Sequence, residues 1–204
     1  VVAAYAALRT RTLDLIHGCD QVKSELRVPH CPSWTVRELV AHMVGVPEDI
    51  LAGRLEGVTT EAWTQAQVDR HRADSLVDLA DKWANDAATF DPALANIPAP
   101  VNSQVVFDVT THEHDLRHAL GMPGARDSEA VAVSVGWILD AADKRENGSS
   151  AQLRALGLDD FTLMRVFTGR RSRNQIETLG LDADAIAQWL ESTPLSLSTN
   201  DIDE

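Results

Sequence analysis

The stretch Trp34-Thr35-Val36-Arg37-Glu38-Leu39-Val40-Ala41-His42 reads as the start of a helix. Thr35 and Glu38 have the spacing of a capping box, in which each side chain satisfies a backbone N–H of the other, and Trp34 can staple onto Leu39 one turn in. Val36, Leu39, Val40 and Met43 then fall on one face, with His42 on its flank between Leu39 and Val46. Gly45 and Pro47 should kink or interrupt this helix before Ile50 and Leu51.

The same helical spacing continues on both sides. Upstream, Tyr5, Leu8, Thr12, Leu15, Ile16 and Cys19 form one stripe, which Val28-Pro29-His30-Cys31-Pro32 breaks. Downstream, apolar spacing predicts one long helix from about Thr60 to Phe90, followed by a Pro-rich connection from Asp91 to Pro100. A fourth helix opens near Asn102 or Ser103 and stops at Gly121, with Pro123 beyond. A fifth spans roughly Ser128 to Arg145. After the turn-like Asn147-Gly148-Ser149-Ser150 come two or three shorter helical patterns through Trp189, and the tail from Ser196 is expected to fray. No convincing strand, repeat or low-complexity block is present. The fold class is therefore all-α, a bundle over residues 1–145 with a helical extension over 146–204 packed on it.

Composition sets outer bounds. The 204 residues, 44% hydrophobic and 24% charged, suffice for an ordinary globular core. A net charge of −13 opposes a phosphate backbone and an acidic membrane surface, so nucleic acid and membrane are excluded as partners. No apolar run approaches the ~20 residues of a spanning helix, and no basic segment leads into an apolar one at the start. With Cys19 and Cys31 read as free thiols, a cytoplasmic setting is expected. The five tryptophans, Trp34, Trp63, Trp83, Trp137 and Trp189, read as core or cap packing.

The chemistry concentrates in Phe107-Asp108-Val109-Thr110-Thr111-His112-Glu113-His114-Asp115-Leu116-Arg117-His118. Two i,i+4 pairs there could hold a metal, Asp108 with His112 and His114 with His118, and spacing alone does not choose. At about 100° per residue, with the apolar side set by Val106, Val109, Leu116 and Leu120, His112 lies about 50° from the centre and Asp108 about 90°. His114 and His118 fall toward solvent. Metal ligands in a bundle point to the interior, which favours Asp108 and His112, with His42 as a third ligand from a facing helix. Two imidazoles and one carboxylate leave positions open, as a catalytic site requires, and suit Zn²⁺ or Ni²⁺. Asp115 is placed to orient His112 or a bound water. Arg170 and Arg171 could reach a substrate carboxylate, although C-terminal capping or surface charge is the commoner role. His71, lacking an i,i+4 ligand partner, reads as a surface residue.

The string from Trp34 to His42, with Asp108-x-x-x-His112-x-x-Asp115-Leu116 some 65 residues on, resembles the DinB-like superfamily. The resemblance is to the N-terminal type of mycothiol-dependent maleylpyruvate isomerase, over about residues 1–145, and Phe167-Thr-Gly-Arg-Arg-Ser172 is similar to actinobacterial relatives. It implies a DinB-like four-helix bundle and a metal held by His42, Asp108 and His112. Asp stands here where the isomerase has Glu, and no strand-rich segment matches that enzyme's further α/β domain. The implied activity is metal-dependent isomerisation or S-transfer that uses a small thiol such as mycothiol on a small electrophile. The alternative is a non-catalytic ligand-binding or stress-associated module, and a homodimer is left open.

Overall fold

The computed structural model describes residues 1–146, 148–191, 193 and 195–204. Asn147, the first residue of the expected turn, lies outside them. Among the described residues there are eleven helices and one two-stranded sheet, so the all-α bundle expected from the sequence is what forms.

Four helices make the bundle: α1 (Val2–His17), α3 (Val36–Ala52), α5 (Leu76–Asn96) and α6 (Val101–Leu120), with α1 and α3 each packing against both α5 and α6. Their inward faces bury Tyr5 and Leu8, Leu39 and Met43, Leu79, Trp83 and Phe90, and Val109 and Leu116. Full burial of such side chains is worth about 1.5–3 kcal/mol each. The polar handle of Trp83 is satisfied inside, where its Nε1–H donates to Tyr5 Oη at 3.1 Å.

The structure departs from the sequence expectation in the course of its helices and in the segment that follows α2 (Gln21–Ser24). The predicted long helix is two, α4 (Glu61–Arg70) and α5, because Ser75 and Asp78 form a second capping box that starts a new helix after His71. α5 then runs through Pro92 to Asn96, beyond the expected stop. Pro47 lies inside α3 without ending it. Proline there deletes only the bond to the Met43 carbonyl, and packing against α4, α5 and α6 holds the turn. The segment after α2 is a small hairpin, β1 (Arg27–Val28) and β2 (Cys31–Thr35), resting on α3, with β1 also on α6.

α7 (Glu129–Arg145) packs on α6 with one side and on α8 (Ser149–Ala155) and α9 (Asp160–Phe167) with the other. Val131, Val135 and Ile138 thereby join Phe161, Met164 and Phe167 in a second apolar cluster. α10 (Arg173–Thr178) and α11 (Ala183–Leu190) complete the extension. The terminal residues are pinned rather than frayed. Asn174 donates to Asp201 at 2.8 Å and Gln175 to the Ile202 carbonyl at 3.1 Å, while Glu204 reaches buried arginines. No helix of the described residues is long and apolar enough to cross a membrane.

α3 and α4 approach closely at Gly45, where an added Cβ would stand 2.5 Å from Gln67 Cβ. In an open helix Gly→Ala gains roughly 0.5–1 kcal/mol. Here overpacking of about 1–3 kcal/mol should win. Gly45→Ala is therefore expected to lower the unfolding free energy in urea, and a more stable variant would contradict this packing.

Candidate metal centre

α3 and α6 bring His42, Asp108 and His112 together. Asp108 and His112 are one turn apart on α6, and one ligand atom from each of the three residues lies within 4.8 Å of the others. His42 Nε2 is 3.6 Å from Asp108 Oδ2, and His112 Nε2 is 3.9 Å from Asp108 Oδ1. These separations are too long for hydrogen bonds. Asp108 keeps 38% of its side-chain surface exposed, yet its Oδ2 points inward, buried and without a partner. A divalent ion, bonded at about 2.0–2.2 Å to such donors, would satisfy that orphaned oxygen, so the residues fit a metal. The Asp108 carboxylate faces both imidazoles. The Trp34 ring walls the site, 5.4 Å from His42 and 6.1 Å from His112 between ring centroids.

Both imidazoles are oriented from behind. His42 Nδ1 lies 2.7 Å from Gln67 Oε1, and the Gln67 amide donates to Asp49 at 2.8 Å. Asp49 in turn accepts from Arg54 at 2.6 Å and Arg70 at 2.7 Å. Because the amide nitrogen of Gln67 is committed to Asp49, its oxygen must accept from His42, which leaves the Nε2 lone pair aimed at the centre. His112 is held likewise, with Nδ1 3.1 Å from Asp115 Oδ2. Burial disfavours the charged form of His42, but Asp108 and Gln67 outweigh it and raise its pKa. For His112, burial wins and the pKa falls.

Asp115 has no exposed surface. Arg165 donates to it at 2.8 Å and Arg170 at 2.7 Å, both from the C-terminal extension. Burial alone would raise its pKa, but Arg170, Arg165 and His112 hold it well below the usual carboxylate range. The structure thus gives Arg170 a partner inside the protein, and Arg171 pairs with Glu204 at 2.6 Å.

Three expectations about the histidines are corrected. His114 is buried, not turned to solvent; it packs on Phe161, and burial pushes its pKa down to about 3. His118 is half-buried. The wheel assumed one wet face, whereas α6 is enclosed by α1, α3, α7 and β1 and buries every residue from Val109 to Leu116. His71 is buried between Asp74 at 2.7 Å and Glu48 at 2.9 Å, a satisfied pair rather than a surface residue. Sequence reasoning missed Gln67 and Arg165, since no local pattern marks either, and the Cys31 thiol, 3.6 Å from Asp115.

The family model described as the mycothiol maleylpyruvate isomerase N-terminal domain matches residues 5–132. That span contains His42, Asp108, His112 and Asp115. No curated protein and no solved structure matches the chain.

Removing the charge of Asp115 would leave the buried Arg170 guanidinium without its anion, while Arg165 would keep Glu204. Breaking a buried pair in this way costs about 3–5 kcal/mol. Asp115→Asn should show a loss of that size in chemical denaturation, and unchanged stability would contradict the arginine network.

Proposed function

The chain belongs to the mycothiol maleylpyruvate isomerase N-terminal domain family, and on that footing we propose that it is a metal-dependent enzyme transferring a small thiol to, or isomerising, a small electrophile. The observation that carries this reading is the convergence of His42, Asp108 and His112 on one point, with Asp108 Oδ2 buried and unpartnered. Bound there, a divalent ion of the Zn²⁺ or Ni²⁺ type would supply a Lewis acid that holds a thiol sulfur as thiolate at neutral pH.

The chain's own groups divide the remaining work. His42 and His112 present Nε2 lone pairs whose direction is set by Gln67 and Asp115. Asp108 supplies the negative charge; burial penalises that charge, but His42 and His112 outweigh it and keep the carboxyl ionised. Its partial exposure marks the side from which ligands would enter, while Trp34 limits water on another. On this reading the reacting sulfur comes from outside, since burial, aided by Asp115, pushes the Cys31 thiol up to about 12. A soluble thiol of the mycothiol type and a small electrophilic substrate are the partners this reading requires.

The test is thiol consumption by zinc-loaded protein supplied with mycothiol and an activated electrophile. Consumption should fall to background after chelation and in His42→Ala. Asp108→Asn should bind zinc more weakly, and Asp108→Glu, which restores the isomerase's residue type, should retain it. Activity should also fall in acid, since His42 and His112 must shed protons to ligate, and the raised pKa of His42 makes it the first to be lost. Thiol consumption that survives both chelation and loss of His42 would overturn the metal-dependent mechanism, and zinc-loaded protein that consumes no thiol would favour a non-catalytic ligand-binding module.

A further inference from the structure

A second group of ligating side chains lies on the far side of the Asp115–Arg165 pair. His30 comes from the turn between β1 and β2, His118 from the last turn of α6 and Glu204 from the C-terminal segment, and one ligand atom from each lies within 4.8 Å of the others. The His30 side chain is 1% exposed and that of Glu204 4%. His30 Nε2 is 3.4 Å from Glu204 Oε2, and the two imidazole centroids are 5.0 Å apart. His30 Nε2 and His118 Nδ1 are both buried, and neither has a hydrogen-bond partner. Burial of two imidazole nitrogens without partners, in two residues grouped with one carboxylate, is an arrangement that folded proteins avoid unless something joins them.

We propose that His30, His118 and Glu204 form a second divalent-metal site of the zinc class, distinct from His42, Asp108 and His112 and independent of the function assigned to them. The donors are two imidazole nitrogens and one carboxylate oxygen, which favours zinc-like ions over magnesium or calcium. The two oxygens of Glu204 have different surroundings. Oε1 accepts from Arg165 Nε and Arg171 Nη1, both at 2.6 Å, whereas Oε2 accepts one bond, from Arg165 Nη2 at 2.9 Å, and faces His30. The two guanidiniums weaken the pull of this carboxylate on a cation, so the site should fill after the first. A cavity of about 90 Å³, lined by His118, Arg117, Gly121, Phe161 and Glu204 among others, offers entry and room for a water as fourth ligand. Occupancy would tie the hairpin, α6 and the C-terminal segment together at one point.

Zinc stoichiometry of the full chain, measured by elemental analysis after equilibrium dialysis and followed by the visible spectrum of Co²⁺ in place of Zn²⁺, tests this. Wild type should bind two equivalents and His118→Gln one. His42→Ala should keep one, which adding His118→Gln removes. Zn²⁺ should raise the melting temperature of His42→Ala but not of that double variant. His30→Gln provides an independent check should His118→Gln fail to fold by circular dichroism. Stoichiometry that is unchanged in both folded His30→Gln and His118→Gln would overturn the proposal, as would a folded His42→Ala chain that binds no zinc. A wild-type chain that binds one equivalent in all, lost in His118→Gln and kept in His42→Ala, would support this site while removing the first.

Discussion

Asp115 is a carboxylate without any contact with water, and such a group persists only if its charge is met on every side. Three nitrogen-bearing side chains meet it, with the Cys31 thiol at 3.6 Å as a fourth contact. His112 takes one oxygen, Arg170 spans both, and Arg165 reaches across from α9 while also donating to the Thr111 carbonyl at 3.2 Å. Because both arginines come from the C-terminal extension, that extension cannot be regarded as an appendage added to a finished bundle. It provides the positive charge that lets an acidic residue sit in the centre of α6, and through Asp115 it sets the direction of a candidate metal ligand.

His42 is supported by the same logic on the opposite helix. Gln67 is buried and spends its amide on Asp49, itself buried and paired with Arg54 and Arg70. Each imidazole of the candidate centre thus rests on a polar chain that ends in arginine. Such backing fixes the tautomer and ring angle of a ligand and raises its basicity. α3 and α6 are rigid elements held by the bundle core, which allows Nε2 atoms from two helices to converge on one carboxylate.

Features encoded over a few residues were legible in the sequence. The Thr35–Glu38 capping box begins α3 as read, and Gly121 closes α6 in the left-handed conformation at φ 64°. The proximity of His42, Asp108 and His112, within 4.8 Å of one another, agrees with the phasing of their helices from apolar neighbours. Features that depend on what surrounds a helix were not legible. The periodicity of α6 describes one apolar face, but four elements enclose it, so His114 is inside and His118 half-buried despite lying opposite Leu116 on the wheel. Arg165 meets Asp115 across 50 positions of sequence, and Gln67 meets His42 across 25, with no local pattern to announce either. The C-terminal tail, polar enough to suggest fraying, is held by Glu204 against Arg165 and Arg171.

We propose that this charge-backed geometry presents His42, Asp108 and His112 to one ion. Anomalous diffraction at the zinc edge, from crystals grown with Zn²⁺, would locate that ion. A peak is expected about 2.0–2.2 Å from His42 Nε2, His112 Nε2 and an Asp108 carboxylate oxygen, with the imidazoles still backed by Gln67 and Asp115. A zinc-saturated crystal without density between those three side chains would contradict it.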